Sequence, residues 1–123
     1  MICPIEMLCN KAYELVSYMK LRRKILEPVL FGNVWVYGPM DMNEARWGKM
    51  VFLANGRTFG YGHPNEYGWD FSNDVFRLLR KDREPTSIYD EAFTEYGRLL
   101  LKGRPLDNPD FFYCLRQVDY ADD

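Results

Sequence analysis

The stretch MVFLANGRTFGYG, residues 50–62, places two apolar segments on either side of an Asn-Gly pair. In the second segment, Phe59 and Tyr61 alternate with glycines, as in a strand that buries one face. Asn55-Gly56 is a strong short-range signal for a β-hairpin, because a type I′ turn needs positive φ at both central positions. The stretch therefore predicts two antiparallel strands joined by a two-residue turn at Asn55-Gly56.

Short apolar segments with a two-residue period continue on both sides of this hairpin. Turn residues separate them at a spacing of about ten residues, which is typical of an antiparallel meander. A meander avoids exposed edges by closing into a barrel. The sequence therefore predicts a mainly β fold, an antiparallel up-and-down barrel over residues 31–120, with a half-open roll that has a helix across its mouth as the alternative. The predicted strand segments are Asn33–Tyr37, Trp47–Leu53, Thr58–Tyr61, Trp69–Phe71, Val75–Leu79, Ser87–Tyr89, Leu99–Leu101 and Phe111–Val118.

Residues 1–30 show a helical period instead. Apolar side chains recur at three- and four-residue spacing along residues 5–19, and Pro28 suits the end of a helix. We therefore expect one N-terminal α-helix over residues 5–26 that packs on the barrel, within a single domain of residues 1–123. Basic residues near the end of this helix leave a membrane-surface or partner-binding helix as the alternative.

Length, charge and cysteine content narrow the function classes. The chain has 123 residues, a net charge of −2 and 16% aromatic residues. The negative balance argues against non-specific nucleic-acid binding, which needs a surplus of cations on one face. Cys3, Cys9 and Cys114 are too scattered for a disulfide framework or a zinc site, so we expect no metal and no cofactor. The start MICPIEMLCNK, residues 1–11, fits neither a signal peptide nor a membrane span, and we expect a cytoplasmic protein.

The stretch GYGHPNEYGW, residues 60–69, connects the hairpin to the next strand. Pro64 presets φ for the second position of a turn, and Asn65 tolerates the backbone region that follows. Glycines at three positions remove side chains where a twisted sheet bends sharply or another backbone comes close. Turn chemistry at one rim of the barrel therefore accounts for most of this stretch.

Turn chemistry does not require the imidazole of His63 or the carboxylate of Glu66. Both side chains could brace the turn by bonding its backbone, as polar side chains in tight turns often do. They could instead contact a ligand, since the mouths of barrels are common sites for small molecules and aromatic faces flank the loop. The candidate ligand-binding residues are Tyr61, His63, Asn65, Glu66, Trp69 and Asp70.

Metal and catalytic chemistry have less support in the sequence. One histidine with a carboxylate three residues later is a thin ligand set for a metal ion. The serines lie in no nucleophile elbow, and no cysteine is paired with His63. We therefore expect a non-catalytic protein and name no catalytic residue. Acid–base chemistry by His63 and Glu66 is the enzymatic hypothesis that remains.

Residues 47–90 resemble a small bacterial β-module associated with surface-polysaccharide and glycosyltransferase contexts. The core of that module is Gly-Tyr-x-His-Pro-Asn-Glu-x-x-Trp, which residues 60–69 match. A later Thr/Ser-x-Phe/Tyr-Asp strand of the module matches Thr86, Ser87, Tyr89 and Asp90. The resemblance implies a carbohydrate context and implies no reaction.

The expected shape is also similar to lipocalin-type barrels. The first strand of those proteins carries Gly-x-Trp, and this chain has Gly32-Asn33-Val34-Trp35, with one residue more. A shared shape does not by itself determine function.

Three function classes fit these features. The first is a small binding module that recognises a carbohydrate or another small polar-aromatic ligand at one barrel rim, because sugar faces stack on aromatic rings while Asn, Glu and His bond hydroxyl groups. The second is a protein-interaction module, such as an inhibitor or immunity protein. The third is a small enzyme with His63 and Glu66 as an acid–base pair. An enclosed pocket would favour the first class, and a filled barrel with an exposed aromatic patch would favour the second.

Overall fold

A computed structural model describes residues 17–40 and 47–118 of the chain. These residues form nine β-strands, one α-helix and one 3-10 turn, numbered here in chain order. The elements are β1 (Ser17–Lys20), α1 (Arg23–Leu30), β2 (Val34–Pro39), β3 (Gly48–Phe52), β4 (Thr58–Phe59), the 3-10 turn (Pro64–Glu66), β5 (Gly68–Ser72), β6 (Val75–Leu79), β7 (Pro85–Glu95), β8 (Arg98–Pro105) and β9 (Tyr113–Val118).

The strands form one antiparallel sheet that curls into a nearly closed barrel. The strand order is β4-β3-β2-β9-β8-β7-β6-β5, and β1 pairs with β7 outside this path. The two ends of the order, β4 and β5, meet through a bridge between Arg57 and Gly68 and through the bond from the Thr58 amide to the Tyr67 carbonyl. The predicted mainly β, antiparallel barrel is confirmed, and its architecture is consistent with a lipocalin-like barrel.

Side chains fill the interior of the barrel. Along β2, Trp35 and Tyr37 are both fully buried, because alternate residues of a strand point to the same face. The inner faces of the other strands add leucines and aromatic residues that contact them. The buried core consists of Leu21, Leu26, Leu30, Trp35, Tyr37, Met50, Phe52, Phe76, Leu78, Tyr89, Ala92, Leu99, Leu101 and Leu115.

The predicted N-terminal helix over residues 5–26 is wrong at residues 17–20, whereas its last residues, from Arg23, are helical. Ser17–Lys20 is the strand β1, and the helix α1 begins only at Arg23. Residues 5–16 lie outside the described residues. The strand β7 is eleven residues long and β6 pairs only with its first half, so the second half presents unpaired backbone groups to β1. The hydrogen bonds that residues 17–20 form with these groups outweigh the helical preference that the apolar spacing indicates.

The helix α1 closes one end of the barrel. Leu26 and Leu30 are fully buried in the core, so the apolar face of the helix packs on the barrel. Trp35 Nε1 donates to the Leu30 carbonyl at 3.3 Å, which ties the end of the helix to β2. At the start of the helix, Asp74 Oδ1 accepts from the Arg23 amide at 3.0 Å. This bond satisfies one of the free N–H groups of the first turn.

The β3–β4 turn lies where the sequence predicts it, but its geometry differs. The Gly56 amide donates to the Leu53 carbonyl at 3.0 Å, so the loop contains three residues instead of two. Of the Asn-Gly pair, only Gly56 has a positive φ, of 89°. Asn55 uses its side-chain oxygen to accept a nearby backbone amide, which favours a type I turn followed by a left-handed glycine. Two consecutive positive φ angles occur instead at Tyr96-Gly97, between β7 and β8.

Candidate functional site

The loop that carries His63 lies at the end of the barrel opposite α1. The helix α1 precedes the start of β2, whereas the loop follows the end of β4. Because β2, β3 and β4 are successive antiparallel neighbours, β2 and β4 end on the same side of the barrel. We call this side the His63 end.

Hydrogen bonds hold the His63 loop in its 3-10 turn. The Glu66 amide donates to the His63 carbonyl at 3.0 Å, and the Asn65 amide donates to His63 Nδ1 at 3.1 Å. Thr58 Oγ1 donates to the Glu66 carbonyl, and Thr86 Oγ1 donates to the Asn65 carbonyl. The turn is therefore fixed both to β4 and to β7.

Glu66 is a buried polar residue within this exposed turn, with 7% of its surface accessible. The Tyr37 hydroxyl donates to Glu66 Oε2 at 3.1 Å. His63 Nδ1 lies 3.0 Å from Glu66 Oε1. The carboxyl group therefore bridges the buried Tyr37 on β2 and the half-exposed imidazole of His63, and both of its oxygen atoms have a partner.

The contacts of His63 Nδ1 restrict where protons lie. Because Nδ1 accepts from the Asn65 amide, it carries no proton in this arrangement. A neutral Glu66, 3.0 Å away, would share the same lone pair as a second donor. Burial raises the pKa of Glu66 above its ordinary value, while the hydrogen bond from Tyr37 and the proximity of His63 act in the opposite direction. The raised pKa favours a neutral carboxylic acid that accepts from Tyr37 and donates to the imidazole.

Tyr37 connects Glu66 to further hydroxyl groups inside the barrel. The hydroxyl of Tyr37 interacts with that of Tyr89, which lies 3.1 Å from Ser87 Oγ. Burial is the main cause that raises the pKa of both tyrosines, so both keep their protons and act as donors. A chain of hydrogen-bonding groups thus extends from His63 at the surface to Ser87 in the core.

Aromatic rings enclose Tyr37 at this end of the barrel. The rings of Trp47, Tyr61 and Tyr113 contact it edge-to-face, with centroids 5.1, 5.4 and 5.6 Å away. Edge-to-face pairs at this separation are favourable beyond the area they bury. The cluster holds the Tyr37 hydroxyl in position to reach Glu66.

An open groove lies beside the imidazole of His63. It has a volume of about 480 Å³ and is lined by β4, the 3-10 turn and the loop between them. The ring of Phe59 is 68% exposed. The Arg57 guanidinium lies over the ring of Tyr67, 4.5 Å from its centroid. Among the lining residues are Arg57, Thr58, Phe59, His63, Glu66 and Tyr67.

The structure brings four of the predicted ligand-binding residues together. His63 and Glu66 line the groove. Tyr61 packs on the ring of Tyr37 and lies 6.1 Å from the imidazole, centroid to centroid. Asn65 is exposed in the turn and contributes backbone bonds.

Trp69 and Asp70 have other partners. Trp69 Nε1 donates to the Leu53 carbonyl at 2.9 Å, and its ring stacks on Phe76 with centroids 5.9 Å apart. Asp70 forms a two-bond ion pair with Arg77, its cross-strand neighbour, at 2.8 Å. Adjacent residues of a strand point to opposite faces, so closeness in sequence to the loop does not bring these side chains to the groove.

The sequence does not predict that four residues of this site belong to it: Tyr37, Arg57, Phe59 and Tyr67. Tyr37 is 29 positions from Glu66, so no local spacing signals their contact. Arg57 and Phe59 lie on the same, exposed face of the β4 segment by the two-residue period. That period was the signal that could have placed them next to the loop.

Among residues 17–40 and 47–118, no three His, Cys, Asp or Glu side chains gather closely enough to hold a metal ion. Within the same described ranges, no helix has the length and apolar character to cross a membrane. Cys114 is a buried free thiol whose pKa is raised by burial.

No family model matches the chain, and no curated protein or solved structure is similar to it at a significant level. In residues 17–40 and 47–118, the fold defines the class, a nearly closed antiparallel barrel with the helix α1 packed on its core. The resemblance of residues 47–90 to the bacterial β-module stays a prediction that rests on its motif alone.

Proposed function

We propose that this protein is a small binding module that takes a carbohydrate or another small polar-aromatic ligand in the groove at the His63 end. The groove carries the proposal, because an exposed aromatic ring, a half-exposed imidazole and a guanidinium border one open space of about 480 Å³. Small-molecule sites have volumes of about 300–1,000 Å³ and combine apolar surface with a few placed polar groups.

Each side chain of the groove suits a different part of a sugar. The Phe59 ring offers a flat apolar surface to the C–H face of a pyranose. His63 Nε2 and the Arg57 guanidinium supply hydrogen bonds to hydroxyl oxygens. The buried Glu66 fixes the orientation of the imidazole before binding, which reduces the ordering cost of the complex.

Calorimetric titration with a panel of monosaccharides and disaccharides tests this proposal. Phe59→Ala removes the stacking surface, and we expect its affinity to fall about tenfold, equivalent to about 1.4 kcal/mol. The matched control is Tyr96→Asn, because Tyr96 is 67% exposed at the opposite end and Asn tolerates its positive φ. Unchanged affinity in Phe59→Ala, or an equal loss in Tyr96→Asn, would contradict the proposal.

A protein-interaction module is the second candidate, and the filled barrel interior favours it. Trp47, Phe111 and Phe112 are partly exposed, and aromatic side chains on a surface are common at protein contacts. A complete lack of sugar binding across the panel, in a protein that stays folded, would favour this candidate over the first.

The enzymatic hypothesis for His63 and Glu66 has one geometric feature in its favour. A carboxyl group in contact with an imidazole is a pairing that acid–base catalysts use, and with Nδ1 accepting from the Asn65 amide the neutral ring carries its proton on Nε2, where it could act as an acid toward a substrate. This hypothesis has less support than the two binding hypotheses, because the described residues that line the groove identify no nucleophile and no reacting group.

We also propose a cytoplasmic location. The three cysteines form no disulfide framework in the sequence, and Cys114 is a free buried thiol. Reduced thiols without a framework are typical of proteins in a reducing compartment.

A further inference from the structure

Arg57 places a positive charge on the wall of the groove, and Lys81 adds a second one near the same aromatic ring. The Arg57 guanidinium lies 4.5 Å from the centroid of the Tyr67 ring, and Lys81 Nζ lies 5.9 Å from the same centroid. Within the part of the chain that the structure describes, neither cation forms an ion pair. A guanidinium without an ion-pair partner can bind an anion, and the positive charge of Lys81 near the same ring adds to the attraction.

The neighbouring carboxyl groups do not neutralise this wall. Asp82, next to Lys81 in sequence, pairs with Arg80 at 2.9 Å. Glu66 lines the groove, but it is buried and both of its oxygen atoms are already engaged, by the Tyr37 hydroxyl and by His63 Nδ1. Arg57 therefore faces the groove with its positive charge available, although the whole chain has a net charge of −2.

His63 adds a hydrogen-bond donor to this wall. Because Nδ1 accepts from the Asn65 amide, the proton of the neutral ring lies on Nε2. Protonation of the ring leaves the Nε2 proton in place. Nε2 therefore donates in both forms, and it favours a ligand that is rich in acceptor oxygens.

We propose that the groove binds a sugar that carries an anionic group, a carboxylate or a phosphate. Arg57 binds the anionic oxygens, His63 Nε2 donates to a further oxygen of the same ligand, and Lys81 adds positive charge nearby. A guanidinium suits this role because its N–H groups match the paired oxygens of both anions. This inference rests on the proposed function, since it names the chemical class of ligand for the same groove.

Titration of the full chain with neutral and anionic sugars separates the effect of charge from that of the sugar ring. The ligands are glucose, galactose and mannose, the uronate and the 6-phosphate of each, and inorganic phosphate alone. We expect at least one anionic sugar to bind about tenfold or more tightly than its neutral parent, with an affinity that falls as the salt concentration rises. Comparison of the uronate with the 6-phosphate identifies the anion.

Two arginine variants locate the anion. Arg57→Gln should weaken the binding of the anionic sugar by a much larger factor than the binding of its neutral parent, so that the two affinities become nearly equal. Arg22→Gln is the matched control, because Arg22 is exposed at the opposite end of the barrel, where α1 begins. We expect this control to bind every ligand as the wild type does.

The possible results distinguish this inference from the proposed function. Equal affinity for neutral and anionic sugars, with binding lost in Phe59→Ala, would overturn the inference and leave the binding module in place. Phosphate alone that binds as tightly as the sugar phosphates would overturn the sugar part of the proposal. No binding by any of these ligands would overturn both.

Discussion

The carboxyl group of Glu66 loses most of its contact with water when the chain folds. The Tyr37 hydroxyl, at 3.1 Å, and His63 Nδ1, at 3.0 Å, replace part of the lost hydration. Burial is nevertheless the largest effect on this group and raises its pKa. The folded protein therefore holds the Glu66 proton more tightly than the unfolded chain does.

The stability of the protein should consequently depend on pH through Glu66. Below the pKa of the unfolded residue, near 4.5, the acid is neutral in both states and its stabilising contribution is fully present. As the pH rises through the higher pKa of the folded state, this contribution is lost, by about 1.4 kcal/mol for each unit of pKa difference. Glu66→Gln keeps an acceptor for Tyr37 and a donor for His63, so we expect no such loss in this variant.

Denaturant unfolding of the wild type and Glu66→Gln from about pH 4 to pH 8 measures this difference. We expect Glu66→Gln to become the more stable of the two as the pH rises. Glu84→Gln, at an exposed glutamate outside this network, controls for the loss of one negative charge. If Glu66→Gln is less stable at every pH, Glu66 acts as a carboxylate brace of the turn instead.

Among the elements, α1 shows most clearly how tertiary packing supports a short segment. It is eight residues long, a length at which an isolated helix is unstable in water. Leu26→Ala should lower the free energy of unfolding by about 2–5 kcal/mol, because this side chain is fully buried in the core. Ile25→Ala, at a residue that is 38% exposed, should cost about 1 kcal/mol or less. Equal losses in the two variants, measured by denaturant unfolding, would contradict the packing of α1 on the barrel.

Local patterns predict most strands of this barrel but not their full pairing. Val75–Leu79 has the bounds that its apolar segment predicts, since turn residues flank it on both sides. The segment Ser87–Tyr89 marks only part of β7, which extends over Pro85–Glu95 because its partners continue beyond the apolar residues. The strand β1 was not predictable from its own residues, since it depends on the free edge of a distant strand.

In the candidate site, too, the sequence predicts some contacts between residues and not others. His63 and Glu66 are three positions apart, so the sequence alone indicates that they share a turn. The contact of Glu66 with Tyr37 depends on the closure of the barrel and has no local signal. The closeness of Asp70 to the loop in sequence predicts that it binds the ligand. In the structure its side chain instead forms an ion pair with Arg77 on the neighbouring strand, because successive side chains of β5 point to opposite faces.

In the molecule as a whole, the two ends of the barrel have different roles. The helix α1 closes one end, and the groove lies at the other, beside the join between β4 and β5. Arg57 and Tyr67 contribute both to this join and to the lining of the groove. A ligand bound there contacts both sides of the join and should stabilise the closed barrel, since a ligand stabilises the state that binds it.

Chemical-shift mapping by two-dimensional ¹H–¹⁵N NMR tests most directly whether the groove is the ligand site. The full chain is titrated with the neutral and anionic sugars, and the amide signals that move are assigned to residues. We expect the largest changes in residues 57–67, with the amides of α1 and of the Tyr96-Gly97 turn unchanged at the opposite end. Changes concentrated on α1 or on that turn, with residues 57–67 unaffected, would contradict the assignment of the groove as the binding site.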